Sequence, residues 1–420
     1  MRRLAPTTVY YGLELLLSMP TWVVTAVYLV RELHLSPLQL VLMGTAMEAS
    51  VFLFEIPTGV VADTYSRRLS LIIGNVGMGV AWLLVGVLSS AWSIIIVWAF
   101  WGLAYTFTSG AYQAWITDEV GAENVGKVFL RGARLSYIGS FVGLIAFVAV
   151  GTQSLRAGVI AGGALTALAG IACIFVMPET GFRRKPRAER ASAFVELGRT
   201  AATGARFARG RHVILLLIGV ELFMGGSSEA FDRLKEAHFL RDIGLPSLGH
   251  LDPVVWFGIF ALVGMVLGFF AIGRLIKRVE RGGREAVSRA LFVFTAMELV
   301  AVLVFALTGS TWLAIAGLLG TFLARGLVSP LYNTWLNEQI TDSSVRATVI
   351  SISGQANAIG QAGGGPVLGV IGNVWGLRAA LSSGALLIAP ALALYGRAIA
   401  HHGREPELEE LPPAEPAPLA

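Results

Sequence analysis

The sequence predicts an all-α membrane protein with twelve transmembrane helices in two pseudo-symmetric six-helix halves. Of its 420 residues, 55% are hydrophobic and only 14% are charged, with a mean hydropathy of +0.69. So little polar surface cannot cover a soluble protein of this length. Long apolar runs recur along the chain, and two sequence patterns appear once in each half. These observations together predict the fold class.

The second half of the chain repeats patterns of the first. Residues 28–35 and 238–245 keep the same order of apolar, basic and acidic residues, and residues 109–119 and 329–339 share Ser, Tyr, Trp and an acid. The two separations are nearly equal, which indicates an internal duplication. We therefore expect an N-terminal half over residues 1–177 and a C-terminal half over residues 212–400.

The apolar runs have the length of membrane-spanning helices. About 20 residues of helix cross the roughly 30 Å of hydrocarbon in a bilayer. The runs are continuous, whereas barrel strands alternate apolar and polar residues over about ten residues, so a membrane β-barrel is excluded. The predicted spans 1 to 12 begin near Val9, Pro37, Leu69, Trp92, Ser136, Arg156, His212, Asp252, Ala290, Thr311, Thr348 and Leu377.

Basic residues concentrate in the even-numbered loops, for example at Arg67 and Arg68 after span 2 and in residues 183–211 after span 6. Lys and Arg in short loops stay on the cytoplasmic side, so we expect both termini to be cytoplasmic. The net charge of +5 is explained by basic loops beside anionic lipid headgroups and requires no nucleic acid. The first apolar run is too long for a signal peptide.

Two segments are expected outside the membrane. Residues 178–211 are rich in Arg and Ala and predict a cytoplasmic linker, partly amphipathic along the membrane surface. Residues 401–420 are rich in Pro and Glu and predict a disordered cytoplasmic tail. The single Cys173 excludes a disulfide framework. With no Walker loop and no His/Cys metal spacing, we expect no cofactor, no metal and no enzymatic activity.

The loop between predicted spans 2 and 3 reads Gly59-Val-Val-Ala-Asp63-Thr-Tyr-Ser-Arg67-Arg68, and a degenerate copy begins at Gly273. It resembles the signature loop of the major facilitator superfamily, which is a glycine, three residues, an aspartate and a basic pair. The resemblance implies the major facilitator fold, whose two halves rock about a midplane site. The residues expected at the cytoplasmic gate are Gly59, Asp63, Arg67, Arg68 and Glu55.

Residues 109–118, 229–238 and 346–351 are similar to the drug:proton antiporter branch, which contains macrolide and some tetracycline efflux proteins. That resemblance implies multidrug efflux and antibiotic resistance. The chain departs from the pattern at Thr64 and Ser66, where a basic residue and a glycine are usual. Span 4 also lacks the arginine of many proton-coupled exporters. Proton coupling and export are therefore implied by the resemblance alone.

Carboxylates inside the spans mark candidate sites, since a charge at the bilayer centre costs at least about 3 kcal/mol unless it is paired, protonated or hydrated. Spans 1 and 7 both contain Gly-apolar-Glu-Leu, which places Glu14 and Glu221 at related positions, and span 2 adds Glu48. We rank Glu221 first for proton coupling, then Glu48 and Glu14. A packing ion pair is the alternative for each. Because spans 1, 4, 7 and 10 line the cavity of the resembled fold, Arg325 gains weight and Glu298 on span 9 loses it.

Aromatic and amide residues complete the candidate pocket. Side chains spaced three to four apart on span 4 share one helix face, and the amides of span 11 need partners or water within hydrocarbon. An aromatic stripe that faces lipid or packs against protein is the alternative. The candidate substrate-binding residues are Trp101, Tyr105, Tyr112, Arg325, Gln355, Asn357 and Gln361.

These features predict a secondary active transporter that exports amphipathic drug-like compounds in exchange for protons by alternating access. We expect a monomer in the bacterial cytoplasmic membrane, whose partners are a small amphipathic molecule, protons and the lipid bilayer. A lipid or lysolipid flippase and a metabolite carrier are alternatives within transport. A non-transporting membrane scaffold or sensor is the alternative of another class, although a scaffold needs no carboxylates within its spans.

Overall fold

A computed structural model of the protein describes residues 4–19, 21–182, 202, 206–247, 250–340, 342 and 345–402, with side chains for all except 276–285 and 402. This part of the chain is almost entirely helical and contains no strand. Eleven segments are long and apolar enough to cross a membrane. They are Pro6–Arg31, Pro37–Thr64, Arg67–Val87, Ala91–Val120, Ala122–Gln153, Leu155–Val176, His212–Ile243, Pro253–Leu275, Ala286–Leu307, Thr311–Gln339 and Leu377–His401.

The predicted span 11 is the helix Arg346–Trp375, which is 30 residues long. It is absent from the eleven apolar segments, in line with the amides and the run of glycines that lower its hydropathy. At 1.5 Å per residue it extends about 45 Å, enough to cross a bilayer. It packs against spans 2 and 7. The all-α membrane architecture predicted from the sequence is therefore confirmed.

Span 5 begins earlier than the hydropathy predicts. Its helix starts at Ala122 rather than near Ser136, because Glu123, Lys127 and Arg131 lower the hydropathy of the first turns without breaking the helix. Spans 8 and 9 lie on one continuous helical backbone, Pro253–Leu307.

Three spans consist of two helices each. Span 1 comprises Pro6–Leu17 and Trp22–Arg31. Span 4 comprises Ala91–Thr106 and Ala111–Val120, and Gly110 between them has φ +70°, which favours glycine. Span 12 comprises Leu377–Leu386 and Ile388–His402, and span 7 ends in a π-helical turn, Phe239–Ile243.

Matching contacts in the two halves support the duplication. The Tyr112 hydroxyl donates to the carbonyl oxygen of Tyr10 at 3.0 Å. Its counterpart in the repeat, Tyr332, donates to the carbonyl oxygen of Leu217 at 3.1 Å. In both halves, therefore, a tyrosine of the fourth span ties that span to the backbone of the first.

The two chain ends lie on one face of the helical bundle, which we call the terminal face. There the Leu4 amide donates to the carbonyl oxygen of Val176, and the rings of His212 and His401 lie 6.1 Å apart. The opposite side, the far face, carries the loops after spans 1, 7 and 11. The expectation that the terminal face is cytoplasmic stays a prediction.

Polar contacts join the two halves at the far face. Arg31 Nη1 lies 3.3 Å from a carboxylate oxygen of Asp252. Its counterpart in the repeat, Arg241, donates from Nη2 to the carbonyl oxygen of Leu35 at 2.7 Å. Each half therefore sends the same arginine across to the other half.

Span 2 shows how the contact between the halves changes along the membrane. Leu40 and Val41, near the far face, are buried where span 2 packs against span 11. Phe52 and Leu53, toward the terminal face, are 42% and 63% exposed. The halves thus pack closely near the far face, and span 2 is more exposed toward the terminal face.

The predicted linker, residues 178–211, and the predicted tail, residues 401–420, lie mostly outside the described residues. At the start of the linker, the Glu179 carboxylate accepts from the Ser66 hydroxyl at 2.7 Å and from the Arg68 amide at 2.9 Å. The linker therefore begins against the loop between spans 2 and 3.

Candidate functional site

Three adjoining cavities lie inside and between the halves. The central cavity, about 470 Å³, is lined by spans of both halves. The N-half cavity, about 420 Å³, shares Trp22, Trp101, Tyr105 and Ser109 with it. The C-half cavity, about 350 Å³, shares Gly354 and Asn357 with it. Each has the size of a small-molecule site.

Both interrupted spans of the N-terminal half border the N-half cavity. Ser18 and Trp22 flank the break in span 1, and Ser109 and Gly110 lie in the break of span 4. Discontinuous helices expose backbone groups and side-chain positions that a continuous helix hides, and transporters place substrate sites at such breaks.

A cluster of aromatic rings forms the wall between the central and N-half cavities. The Trp101 and Tyr105 rings stack at 5.5 Å with an interplanar angle of 7°, and Trp22 meets Trp101 edge-on at 5.5 Å. Trp22 also stacks on Trp98 at 5.1 Å. The sequence analysis placed Trp101 and Tyr105 in the pocket but missed Trp22. The available signal was the proline at position 20, which predicts a break within span 1.

The central cavity contains two carboxylates of span 2. Glu48 is half-buried, and with the described residues it makes no hydrogen bond or ion pair. Glu55 accepts a hydrogen bond from the Ser109 hydroxyl at 3.3 Å. The sequence analysis expected Glu55 at the gate beside Asp63, whereas it lines the same cavity as Glu48, because residues seven apart lie on one helix face.

Glu221 lines the C-half cavity and is held by an amide. Asn357 Nδ2 donates to Glu221 Oε2 at 2.6 Å, and Gln361 Nε2 donates to Asn357 Oδ1 at 2.8 Å. The predicted proton-coupling candidate and two predicted amides therefore form one hydrogen-bonded chain. Gln355, the third amide, lines the central cavity.

Two glycines make this chain of hydrogen bonds possible. A Cβ at Gly225 on span 7 would lie 2.1 Å from the carbonyl oxygen of Asn357, and a Cβ at Gly360 on span 11 would lie 1.9 Å from that of Leu222. No side chain fits at either position, so the two backbones approach closely enough for Asn357 to reach Glu221.

Arg325 is engaged by two carboxylates. Its Nε donates to Glu298 at 2.7 Å, and its Nη1 donates to Asp232 at 2.8 Å. Glu298 has 0% exposure. The lower weight given to Glu298 was wrong in its reason, because span 9 turns this side chain inward to the C-half cavity. Arg325 is thus first of all a partner of buried charge.

Other predicted residues lie at the edges of this arrangement. Glu14 and Tyr112 line the N-half cavity. The pair Glu229 and Arg233, which the sequence analysis did not select, lies where span 7 meets span 2, with Arg233 Nε 3.1 Å from a Glu229 oxygen. A Cβ at Gly44 would lie 1.7 Å from Glu229 Oε1, so this glycine admits the pair.

The predicted gate loop is held mainly by Arg67. Its Nη1 lies 2.9 Å from an Asp118 oxygen, and its Nη2 lies 3.6 Å from an Asp63 oxygen. The Asp63 side chain is 59% exposed, so the buried contact belongs to Asp118, which the sequence analysis missed as a partner. A Cβ at Gly59 would meet nothing within 4 Å, so the close helix contact expected there is absent from this conformation.

Arg68, the second basic residue of the loop, binds within its own half. Its side chain donates to the carbonyl oxygens of Cys173 and Ile174 at the end of span 6. The interactions described for the loop therefore stabilise the N-terminal half, and a bridge from the loop to the C-terminal half is not seen among the described residues.

Comparisons with known proteins place the chain among transporters. The family model described as Major Facilitator Superfamily matches residues 9–365. The uncharacterized MFS-type transporter YxaM of Bacillus subtilis (strain 168) is 27% identical over 135 residues, which is 32% of this chain and 33% of that relative. The match thus spans about a third of the relative's length.

Solved structures share the fold at low identity. A mutant of the nucleoside transporter NupG has a TM-score of 0.75 at 13% identity and covers 94% of this chain and 98% of that chain. The peptide transporter POT in complex with sulfate has a TM-score of 0.73 at 13% identity and covers 95% of this chain and 94% of that chain. Likeness at this level of identity shows the fold alone.

Proposed function

Because the chain belongs to the major facilitator superfamily and is therefore a transporter rather than an enzyme, we propose that it exports amphipathic small molecules in exchange for protons. The observation that carries the proposal is the set of adjoining cavities at the interface between the halves. Their walls combine stacked aromatic rings with a carboxyl group, Glu221, that is hydrogen-bonded only to an amide among the described residues.

The aromatic and amide walls support an amphipathic substrate. Trp101 and Tyr105 offer apolar ring surface, while Gln355 and Asn357 offer donors and acceptors in the same central cavity. Sites for small organic molecules combine apolar walls with a few polar groups in this way. The adjoining cavities leave room for compounds larger than any one of them.

Glu221 is suited to carry the proton because no cation fixes its charge. Its recorded partner is the neutral amide of Asn357, which can hydrogen-bond to either form of the carboxyl group after a small rotation. Glu298, in contrast, pairs with Arg325 at 2.7 Å, so its protonation would cost that ion pair. Burial next to an amide thus leaves Glu221 free to exchange a proton with water in the cavity.

The contacts between the halves support alternating access. The halves are joined at the far face by the two repeat-related arginines, Arg31 and Arg241. Rocking of the halves would break these contacts and open the cavities to the far side. With the terminal face in the cytoplasm, the conformation described here receives substrate from the cytoplasm, as an exporter requires.

Glu221→Gln tests the proton-carrying step. In proteoliposomes with an imposed pH gradient, gradient-driven transport of a panel of amphipathic compounds should be lost, because the amide cannot release a proton. Downhill exchange of the same compounds should continue, since that reaction needs no proton transfer. Glu123→Gln, an exposed site outside the cavities, is the matched control and should behave as the wild type.

Gradient-driven transport by Glu221→Gln at the wild-type rate and with the wild-type pH profile would remove Glu221 from the coupling step. In that case the same assay on Glu48→Gln is decisive for the next candidate. Proton-driven movement of a solute toward the terminal face would instead indicate the metabolite carrier, and movement of lipid between leaflets would indicate the flippase.

A further inference from the structure

We propose that the transported molecule is an organic cation, whose positive group lies in the central cavity between the aromatic wall of Trp22, Trp101 and Tyr105 and the carboxylates Glu48 and Glu55. The inference rests on the proposed function and names the substrate class of the same cavities.

The charge lining the three cavities is strongly asymmetric. Their described lining residues include five carboxylates and a single guanidinium, with no lysine. The guanidinium is that of Arg325, which Glu298 and Asp232 already neutralise at 2.7 and 2.8 Å. An anion entering these cavities would meet unneutralised carboxylates, whereas a cation would be attracted by them.

The two carboxylates of the central cavity have capacity for a cation. Glu48 makes no hydrogen bond or ion pair with the described residues, and Glu55 accepts only the 3.3 Å bond from Ser109 among them. The nearest strong cation, Arg233, interacts electrostatically with Glu48 but is held by Glu229 at 3.1 Å. Seven residues of helix separate Glu48 from Glu55, about 10 Å along the axis, so substrates of different length can reach one or both.

The aromatic wall is an independent observation that favours the same ligand. Trp22 and Tyr105 are 42% and 40% exposed, although such residues are usually covered inside a bundle. The faces of tryptophan and tyrosine rings attract cations through the ring quadrupole, most strongly where water is excluded. Rings on one side and carboxylates on the other recognise an ammonium or phosphonium group that carries apolar substituents.

The break in span 1 is what brings Trp22 to this position. The helix stops at Leu17 and restarts at Trp22, so Trp22 stands at the first turn of the second segment, where its ring meets Trp101 edge-on. The two rings belong to spans 1 and 4 of the same half, while Gln355 and Asn357 on the opposite wall belong to the other half. A cation held here contacts both moving halves.

The test compares ions of the same shape and opposite charge. Binding of tetraphenylphosphonium, tetraphenylborate and the smaller cation benzyltrimethylammonium is measured by equilibrium dialysis on the full chain in nanodiscs without any gradient, with empty nanodiscs subtracted. We expect both cations to bind and the borate not to bind. Glu48→Gln with Glu55→Gln should weaken cation binding about 10-fold or more, and Trp101→Leu should weaken it about 10-fold.

Matched controls are Glu123→Gln and Trp312→Leu, both exposed and away from the cavities, and both should bind the cations as the wild type does. Because a change at half-buried Glu48 can impair folding, Glu55→Gln alone at its exposed position provides a second variant. Equal binding of the borate, binding of neither cation, or unchanged cation binding in the double variant would each overturn the proposal.

The binding assay separates this inference from the proposed function. Gradient-driven transport of neutral compounds without cation binding would overturn the cation site and leave the proton-coupled export standing. Cation binding that responds to the variants, without any gradient-driven transport, would support the site and overturn proton coupling.

Discussion

Arg325 shows what a single residue contributes to the C-half cavity. Arg325→Ala would leave Glu298, with 0% exposure, as a buried charge without its partner. We expect this variant to lose about 3–5 kcal/mol of unfolding free energy, because a buried carboxylate without its counter-ion keeps the full desolvation cost. A fall in the melting temperature of the detergent-purified protein measures the loss.

A double variant separates lost charge from lost packing at this residue. Arg325→Ala with Glu298→Gln removes the unpaired charge, so it should melt at a higher temperature than Arg325→Ala alone. Asp232, the other partner, has a side chain that is 48% exposed and can be solvated in both variants. If the double variant is no more stable than the single one, the loss comes from packing of Arg325 on Phe231, whose ring lies 4.8 Å away.

Spans 7 and 11 act as a pair of elements held at a fixed distance by glycine. Gly360→Ala would place a Cβ 1.9 Å from the carbonyl oxygen of Leu222, a backbone atom that moves only if the spans separate. We expect overpacking to cost about 1–3 kcal/mol and to break the bond between Asn357 and Glu221. Gradient-driven transport in proteoliposomes should therefore fall.

Gly363→Ala is the matched control on the same helix, since its Cβ would meet nothing within 4 Å. It should transport as the wild type does. Equal transport by the two alanine variants would show that the close approach of spans 7 and 11 does not limit the transport cycle.

For the whole molecule, the contacts at the far face predict that opening of this face is needed in each cycle. The amide of Leu38 donates to Asn373 Oδ1 at 3.0 Å, which joins spans 2 and 11 of opposite halves. We expect Leu38→Cys with Asn373→Cys to be cross-linked by a short bifunctional thiol reagent, and the cross-link to stop transport because the halves can no longer rock apart.

The same variant before cross-linking, and each single cysteine variant treated with the reagent, serve as controls and should keep transport. Complete cross-linking on a gel together with full transport would contradict alternating access through the far face. A cleavable reagent adds a second check, because cleavage of the cross-link should restore the lost activity.

The sequence by itself determined the membrane architecture and the duplication. Span length is set by bilayer thickness and hydropathy is a local property of the chain, so the spans could be read one by one. The exceptions, such as the early start of span 5 at Ala122, arise where charged residues extend a helix beyond the apolar run. The intramembrane carboxylates were also visible, because a charge in an apolar run is conspicuous without any structure.

Only the tertiary structure decided which of those carboxylates has which partner. Glu221 meets Asn357 from a span 136 residues later in the chain, while Glu298 meets Arg325 and Glu48 meets neither a cation nor an amide among the described residues. Sequence spacing predicts neighbours on one helix face, but contacts between helices depend on where glycines let backbones approach and on where a broken span turns a ring such as Trp22 into a cavity. These are properties of packed helices, and no single span contains them.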